Sequence, residues 1–214
     1  MHRPITAIVL AAALAVSLAT LVTAVRLPGD NQGYEPLQPI AYSHKLHAGD
    51  LQIQCTYCHF AAERSRHAGI PPLNVCMNCH SGVTATLAAI KLEEQKAQQQ
   101  NRAPQPVESS ELRKLYDALA LDRTLAPISG KAPKPIAWKQ IHKLPDFVYF
   151  DHRAHVAATV RCQTCHGPIE TMERVRQYET LTMGWCMNCH RDVNENGVNG
   201  KQVHASIDCV TCHY

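Results

Sequence analysis

All ten cysteines of the 214-residue chain occur in five copies of one pattern, Cys-x-x-Cys-His. The cysteines are Cys55, Cys58, Cys76, Cys79, Cys162, Cys165, Cys186, Cys189, Cys209 and Cys212. The histidines that follow them are His59, His80, His166, His190 and His213. Two thiols and an imidazole at this spacing can bind zinc, form a redox-active dithiol or attach a haem.

Zinc and thiol chemistry each explain only part of the pattern. Three gaps between successive pairs fall in the zinc-ribbon range of about 15–20 residues, but five pairs cannot be combined in twos into four-cysteine sites. A thioredoxin-like dithiol needs one motif beside a βαβ pattern, which this sequence lacks. Disulfides within each pair would close loops too short to add much stability.

Covalent haem uses every residue of the pattern. The two thiols reach the two vinyl groups of one haem, and the histidine binds its iron from one side. Five motifs therefore predict five covalently bound haem c groups. Aromatic residues make up only 6% of the chain, so a conventional core would be thin. The fold class expected is mainly α with much irregular structure, a multihaem cytochrome c folded around its haems.

A repeat predicts the ligands on the other face of the irons. Residues 42–59 and 150–166 each contain an aromatic residue, two histidines three positions apart and then a motif, and CMNCH follows both copies. Histidines at i and i+3 lie on one helix face and can serve two neighbouring irons. The predicted distal ligands are His44, His47, His152 and His155.

His142 and Met183 are further candidates for a distal position. His142 lies in the aromatic-rich stretch WKQIHKLPDF, and a Met183 thioether would raise the potential of its iron. His67 lies in a charged run, where a solvated side chain is expected, and His204 precedes the last motif. If most irons have two protein ligands, the chain transfers electrons and does not catalyse bond chemistry.

Residues 1–27 are predicted to be a single-pass membrane anchor. Residues 5–25 carry no charge, and about 20 apolar residues span a bilayer core as a helix. A cleavable signal has a shorter apolar stretch of about 7–15 residues, although a small-residue site at 22–24 keeps that alternative open. In both cases the remainder is exported. The predicted location is the cytoplasmic membrane, with the haem domain in the periplasm.

Beyond the anchor, we expect two haem modules joined by a linker. Residues 28–83 form a two-haem module, 84–135 a helical and proline-rich linker, and 136–214 a three-haem module. Helices are expected over 84–101 and, after a serine cap, over 109–122. The linker is either a spacer or a docking surface. Residues 191–201 are expected to form a polar loop, and a net charge of +3 without a basic block does not suggest nucleic acid.

The motifs and the phrases beside them resemble a known family. The stretches are CTYCHFAAERSRHAGIPPLNVCMNCH, KLPDFVYFDHRAHV, CQTCHGPIE, LTMGWCMNCHR and CVTCHY. They resemble the membrane-anchored pentahaem cytochrome c subunit of bacterial alternative complex III, a quinol oxidoreductase, with its class III multihaem cytochrome-like modules. The likeness covers both modules but not the linker.

The resemblance implies an electron-transfer subunit of a complex, which is not an enzyme by itself. In that family, electrons from quinol pass through the iron–sulfur clusters of a molybdopterin-enzyme-like subunit to the pentahaem cytochrome. They continue to a monohaem cytochrome, a soluble carrier or a terminal oxidase, while polytopic membrane subunits hold the quinol site. The implied partners are these subunits and the membrane.

Two other functions fit an anchored multihaem chain. A NapC/NrfH-like quinol dehydrogenase oxidises quinol itself. Such proteins usually carry four haems, and these lie close to the membrane segment. In this chain the first motif begins at Cys55, farther from the end of the apolar segment at residue 25. A catalytic multihaem reductase requires an iron with a free axial position. The surplus of histidines over motifs argues against such an iron.

Overall fold

The computed structural model describes residues 12–15, 17 and 31–213. Within them the chain is helical and irregular, with isolated β-bridges but no β-strand. The predicted fold class, mainly α with much irregular structure, is confirmed for this part. Most of the predicted anchor, residues 1–27, lies outside the described residues. No helix in the described part is long and apolar enough to cross a membrane.

Both cysteines of every motif lie within an α-helix, whereas the histidines of the first and fifth motifs, His59 and His213, follow the end of theirs. The helices over residues 31–213 are α1 (Cys55–Cys58), α2 (Leu73–His80), α3 (Leu87–Gln99), α4 (Ser110–Ala118), α5 (His152–Ala157), α6 (Cys162–His166), α7 (Met183–Asn196) and α8 (Cys209–Cys212). A π-helical turn spans Lys45–Asp50, and 3₁₀ turns span Phe60–Glu63 and Ile169–Thr171. Because residues three apart share a helix face, each motif presents both thiols on one side.

The apolar core of the polypeptide is small. Its buried hydrophobic residues, within the described part of the chain, are Ala62, Ala85, Ala97, Leu115, Tyr116, Ala120 and Met172. None belongs to a motif. Large apolar side chains at the motifs are much more exposed: 48% for Tyr57 within the first motif and 59% for Phe147, which packs against His213. Apolar contacts between side chains therefore account for only part of the interior, as the composition predicts.

The two modules pack against each other reciprocally. The turn Lys45–Asp50 in the first module contacts the turn Ile169–Thr171, which follows the third motif. Helix α5 in the second module contacts the turn Phe60–Glu63, which follows the first motif. In each module, the segment at the histidine pair therefore contacts the residues that follow the first motif of the other module.

Arg66 connects the modules directly. Its backbone carbonyl accepts hydrogen bonds from the backbone N–H of His152 at 3.2 Å and, at 2.9 Å, from the Nδ1 of the same residue. Its guanidinium donates to the carbonyls of Phe150 and Val148 at 3.2 and 3.4 Å. The same group lies 4.4 Å from the ring centroid of Tyr149. The Arg66 side chain therefore connects the segment after the turn Phe60–Glu63 to the segment that leads into the second histidine pair.

The linker packs on the first module. Helices α3 and α4 form within the two predicted ranges, and Ser109 caps α4 by accepting from the Leu112 N–H at 3.1 Å. Tyr116 of α4 is fully buried, and its hydroxyl donates to the His80 carbonyl at 2.8 Å. The apolar face of α4 therefore packs within the chain and supports the second motif.

The prediction of a polar loop over residues 191–201 is wrong for its first half. Helix α7 continues to Asn196, and the chain turns at Gly197 with a φ of +74°. The Asn194 side chain donates to the Ala205 carbonyl at 2.8 Å and accepts from the Ala205 N–H at 2.7 Å. These tertiary hydrogen bonds outweigh the modest helix propensity of asparagine.

Replacing Arg66 by alanine should loosen the module interface. The variant loses two hydrogen bonds from a charged donor and a cation–π contact, so the free energy of unfolding should fall by about 2 kcal/mol. Arg64→Ala is the matched control, because Arg64 is exposed and makes no side-chain hydrogen bond or ion pair within residues 31–213. Denaturant unfolding of the haem-loaded protein measures both variants. Equal stability of the two would contradict the assignment.

Candidate haem-binding sites

Four histidine pairs bring a predicted distal residue opposite a motif histidine. The ring centroids are 6.4 Å apart in His44–His59, 6.2 Å in His47–His80, 6.4 Å in His152–His166 and 6.1 Å in His155–His190. A metal–imidazole bond is about 2 Å long, so two imidazoles on opposite sides of one metal have centroids about 6 Å apart. All four separations fit an iron between the rings.

The pairs differ in the angle between their rings. His44–His59 and His152–His166 are nearly parallel, at 6° and 14°. The other two pairs, His47–His80 and His155–His190, are rotated by 63° and 37°. The near-parallel pairs belong to the first motif of each module and the rotated pairs to the second, so the geometry repeats as the sequence does.

Backbone carbonyls fix the orientation of most of these rings. Motif histidine Nδ1 atoms lie 2.7 Å from the Gly69 oxygen (His59), 2.8 Å from that of Val83 (His80) and 2.6 Å from that of Ser206 (His190). Distal Nδ1 atoms lie 2.8 Å from the Ser43 oxygen (His47), 2.9 Å from that of Arg66 (His152) and 2.8 Å from that of Asp151 (His155). An Nδ1–H that donates to a carbonyl leaves Nε2 free for a metal. Two rings differ: the Nδ1 of His44 is buried and has no partner within the described residues, and the Nδ1 of His166 lies beside a side chain, that of His142.

Burial keeps several of these rings neutral, which is the form that binds iron. Burial, together with the neighbouring His59 and His47, lowers the pKa of His44 to about 4. The pKa of His166 is lowered to about 3. Burial is the largest cause, and four neighbouring histidines also lower it: His142, His152, His59 and His44. The first and third pairs are therefore close enough to interact.

The aromatic residue of each repeat packs on both distal histidines. Tyr42 is stacked on His47 at 4.3 Å and meets His44 edge-on at 4.9 Å. Phe150 lies 4.6 Å from His155 and meets His152 edge-on at 4.9 Å. The sequence marks this aromatic position, but its role in spacing the two imidazoles appears only in the structure.

The thiols show the order of the motifs in space. All ten cysteines lie in the described part of the chain, and none of them forms a disulfide there. Thiols of different motifs are neighbours in four places: Cys58 and Cys76, Cys162 and Cys55, Cys165 and Cys189, and Cys186 and Cys212. Burial raises the pKa of Cys162, and its hydrogen-bonded neighbour Cys55 raises it further. The motifs therefore follow one another as second, first, third, fourth and fifth, and the modules meet between the first and third.

The chain is similar in sequence to known proteins. Residues 148–214, which hold three of the motifs, match the family of cytochrome c7 and related cytochrome c. The chain is also 25% identical over 196 residues to the multihaem cytochrome c subunit of a menaquinone reductase from Nitratidesulfovibrio vulgaris, covering 82% of this chain and 76% of that protein. Motifs and likenesses together support a multihaem c-type cytochrome. Covalent c-type haems are the cofactor that such cytochromes hold at these motifs.

His142 contacts the motif histidine His166 directly, at a shorter distance than in the four pairs. Its ring centroid lies 4.3 Å from that of His166, at an angle of 77°, and its Nε2 lies 3.2 Å from the His166 Nδ1. This separation is too short for an iron between the two rings. Burial lowers the pKa of His142 to about 4, with His152 as the second cause.

The fifth motif lacks a comparable pair in the structure. Within residues 31–213, the ring that packs against His213 is that of Phe147, at 5.8 Å. Met183 begins α7 and is 66% exposed, so its role as a ligand stays a prediction. His67 and His204 are exposed. No cluster of three or more histidine, cysteine or acidic side chains in the described part is arranged to hold a bare metal ion.

Proposed function

We propose that the chain is a pentahaem cytochrome c that transfers electrons as a subunit of a membrane quinol oxidoreductase. The observation that carries the proposal is the set of four histidine pairs with ring centroids 6.1–6.4 Å apart. Each pair joins a motif histidine to a histidine of the repeat. Haem c, when bound, supplies a one-electron redox couple at each motif.

The proposed roles of the residues follow from the motif chemistry. The two cysteines of each motif hold a haem as thioethers, and the motif histidine binds its iron. His44, His47, His152 and His155 hold the opposite axial positions at the first, second, third and fourth motifs. With imidazole on both sides, water and substrates are kept from these irons. His213 holds the fifth iron, and we propose Met183 for its other side.

The complex we propose is alternative complex III. The phrases beside the motifs support it, as does the similarity to a cytochrome subunit named for a menaquinone reductase. Electrons from quinol would arrive from the iron–sulfur clusters of a molybdopterin-enzyme-like subunit. They would leave to a monohaem cytochrome, a soluble carrier or a terminal oxidase. Residues 1–27 would anchor the chain in the cytoplasmic membrane beside polytopic quinol-binding subunits, with the haem modules in the periplasm.

A second candidate is a subunit of a complex that reduces menaquinone. The similarity to the menaquinone reductase subunit from Nitratidesulfovibrio vulgaris favours it. The same haem-binding residues serve either direction of electron flow. The two candidates therefore differ in their partner subunits and in the potentials of donor and acceptor.

His155→Ala tests the proposed ligands. The variant should convert one low-spin iron to a high-spin iron that binds added imidazole, because the fourth motif keeps only His190 as a protein ligand. Absorption and electron paramagnetic resonance spectra of the full-length protein measure this change. His67→Ala is the matched control and should leave all irons low-spin, since His67 is exposed. Identical spectra for both variants would contradict the pairing of His155 with His190.

Native electrophoresis of solubilised membranes tests the proposed complex. The haem-stained band that contains this chain should also contain a large iron–sulfur subunit and polytopic membrane subunits, identified by mass spectrometry, and quinol should reduce its haems. A small band that runs alone and is reduced by quinol would contradict the proposal and favour a NapC/NrfH-like dehydrogenase. Net reduction of menaquinone by a complex containing the chain would favour the second candidate.

A further inference from the structure

The motif histidine His166 has a different Nδ1 partner from the other three paired motif histidines. The Nδ1 atoms of His59, His80 and His190 lie 2.6–2.8 Å from backbone carbonyl oxygens. The Nδ1 of His166 instead lies 3.2 Å from the Nε2 of His142. At His166 the partner of Nδ1 is therefore the His142 side chain, whereas at the other three motif histidines it is a backbone carbonyl.

The geometry of the two rings suits a hydrogen bond between their nitrogens. They cross at 77°, with centroids 4.3 Å apart. When the Nε2 of His166 binds a metal, its proton lies on Nδ1, which must donate. His142 must then accept through Nε2 and carry its own proton on Nδ1. Because its Nε2 is engaged in this way, His142 does not offer that nitrogen to an iron.

The chain around His142 is held in place by other contacts. The Gln140 side chain donates to the His142 carbonyl at 3.0 Å. The Gln38 side chain donates to the Lys139 carbonyl and accepts from the Lys139 N–H, both at 2.9 Å. The segment that carries His142 is thus fixed to the first module, although it has no regular secondary structure.

We propose that His142 is the positioning residue of the third motif: its Nε2 accepts the Nδ1 proton of His166, orients that ring toward His152 and tunes the haem held there. The inference rests on the proposed ligand set and replaces axial ligation as the role of His142. A partner on the outer nitrogen of a metal-bound histidine fixes its orientation and raises its basicity as a ligand. A more basic ligand stabilises ferric iron, so the hydrogen bond lowers the reduction potential of this one haem.

Potentiometric titration of the full-length, haem-loaded protein tests the inference with three variants. His142→Phe keeps an aromatic ring but cannot accept a hydrogen bond. One of the five haems should become easier to reduce, with a roughly tenfold larger equilibrium constant for reduction, equivalent to about 59 mV for one electron. His142→Gln, which can accept through Oε1, should restore most of the original potential. The control His67→Phe should change no haem, and every iron should stay low-spin in all three variants.

Three outcomes would overturn the inference. A new high-spin iron in His142→Phe would show that His142 is an axial ligand. Unchanged potentials for all five haems would show that it does not tune any of them. An equal shift in His142→Phe and His142→Gln would show that the hydrogen bond is not the cause. Failure of the proposed ligand set is distinguishable, because the unsubstituted protein would then already contain a high-spin iron where a histidine pair is proposed.

Discussion

The constraint on which the proposed haem sites depend is the separation of two imidazole rings across one iron. A metal–nitrogen bond of about 2 Å on each side leaves little freedom in the position of either ring. Each distal histidine must therefore be held by a segment that is itself fixed relative to a motif. Three features hold the distal histidines in place. They are the carbonyl acceptors at Nδ1, the aromatic residue that contacts both distal rings, and the short helical segments beside them. The small polypeptide core is consistent with it, because ligand positions here depend on hydrogen bonds and ring contacts more than on buried aliphatic side chains.

Both copies of the internal repeat meet this constraint, and the two copies pack against each other. In each module, the two histidines three residues apart face the histidines of the first two motifs, so these two motifs are neighbours. Reciprocal packing of Lys45–Asp50 on Ile169–Thr171 and of α5 on Phe60–Glu63 then brings the two first motifs together. The consequence is a continuous series of motifs from the second to the fifth. Such a series suits electron transfer through the protein better than chemistry at a single site.

The sequence predicts the local features of the site better than its three-dimensional relations. Cys-x-x-Cys-His is a local signature, and His-x-x-His followed by a motif is visible because it occurs twice. The four distal histidines could therefore be predicted, but the motif histidine that each one faces could not. The serine cap at Ser109 is equally local. The polar loop predicted over residues 191–201 is wrong in its first half, because the hydrogen bonds between Asn194 and Ala205 connect positions that no local pattern relates. The contact of His142 with His166 and the bridging role of Arg66 depend on tertiary packing in the same way, so no spacing rule could reveal them.

The most direct test of the account is the electron paramagnetic resonance spectrum of the oxidised, full-length protein. The account predicts low-spin ferric signals from at least four irons with two imidazole ligands each. The near-parallel pairs His44–His59 and His152–His166 should give rhombic signals, whereas the rotated pairs His47–His80 and His155–His190 should give more anisotropic ones. A spectrum dominated by high-spin iron, or one with fewer than four low-spin irons, would contradict the assignment of the histidine pairs as axial ligands.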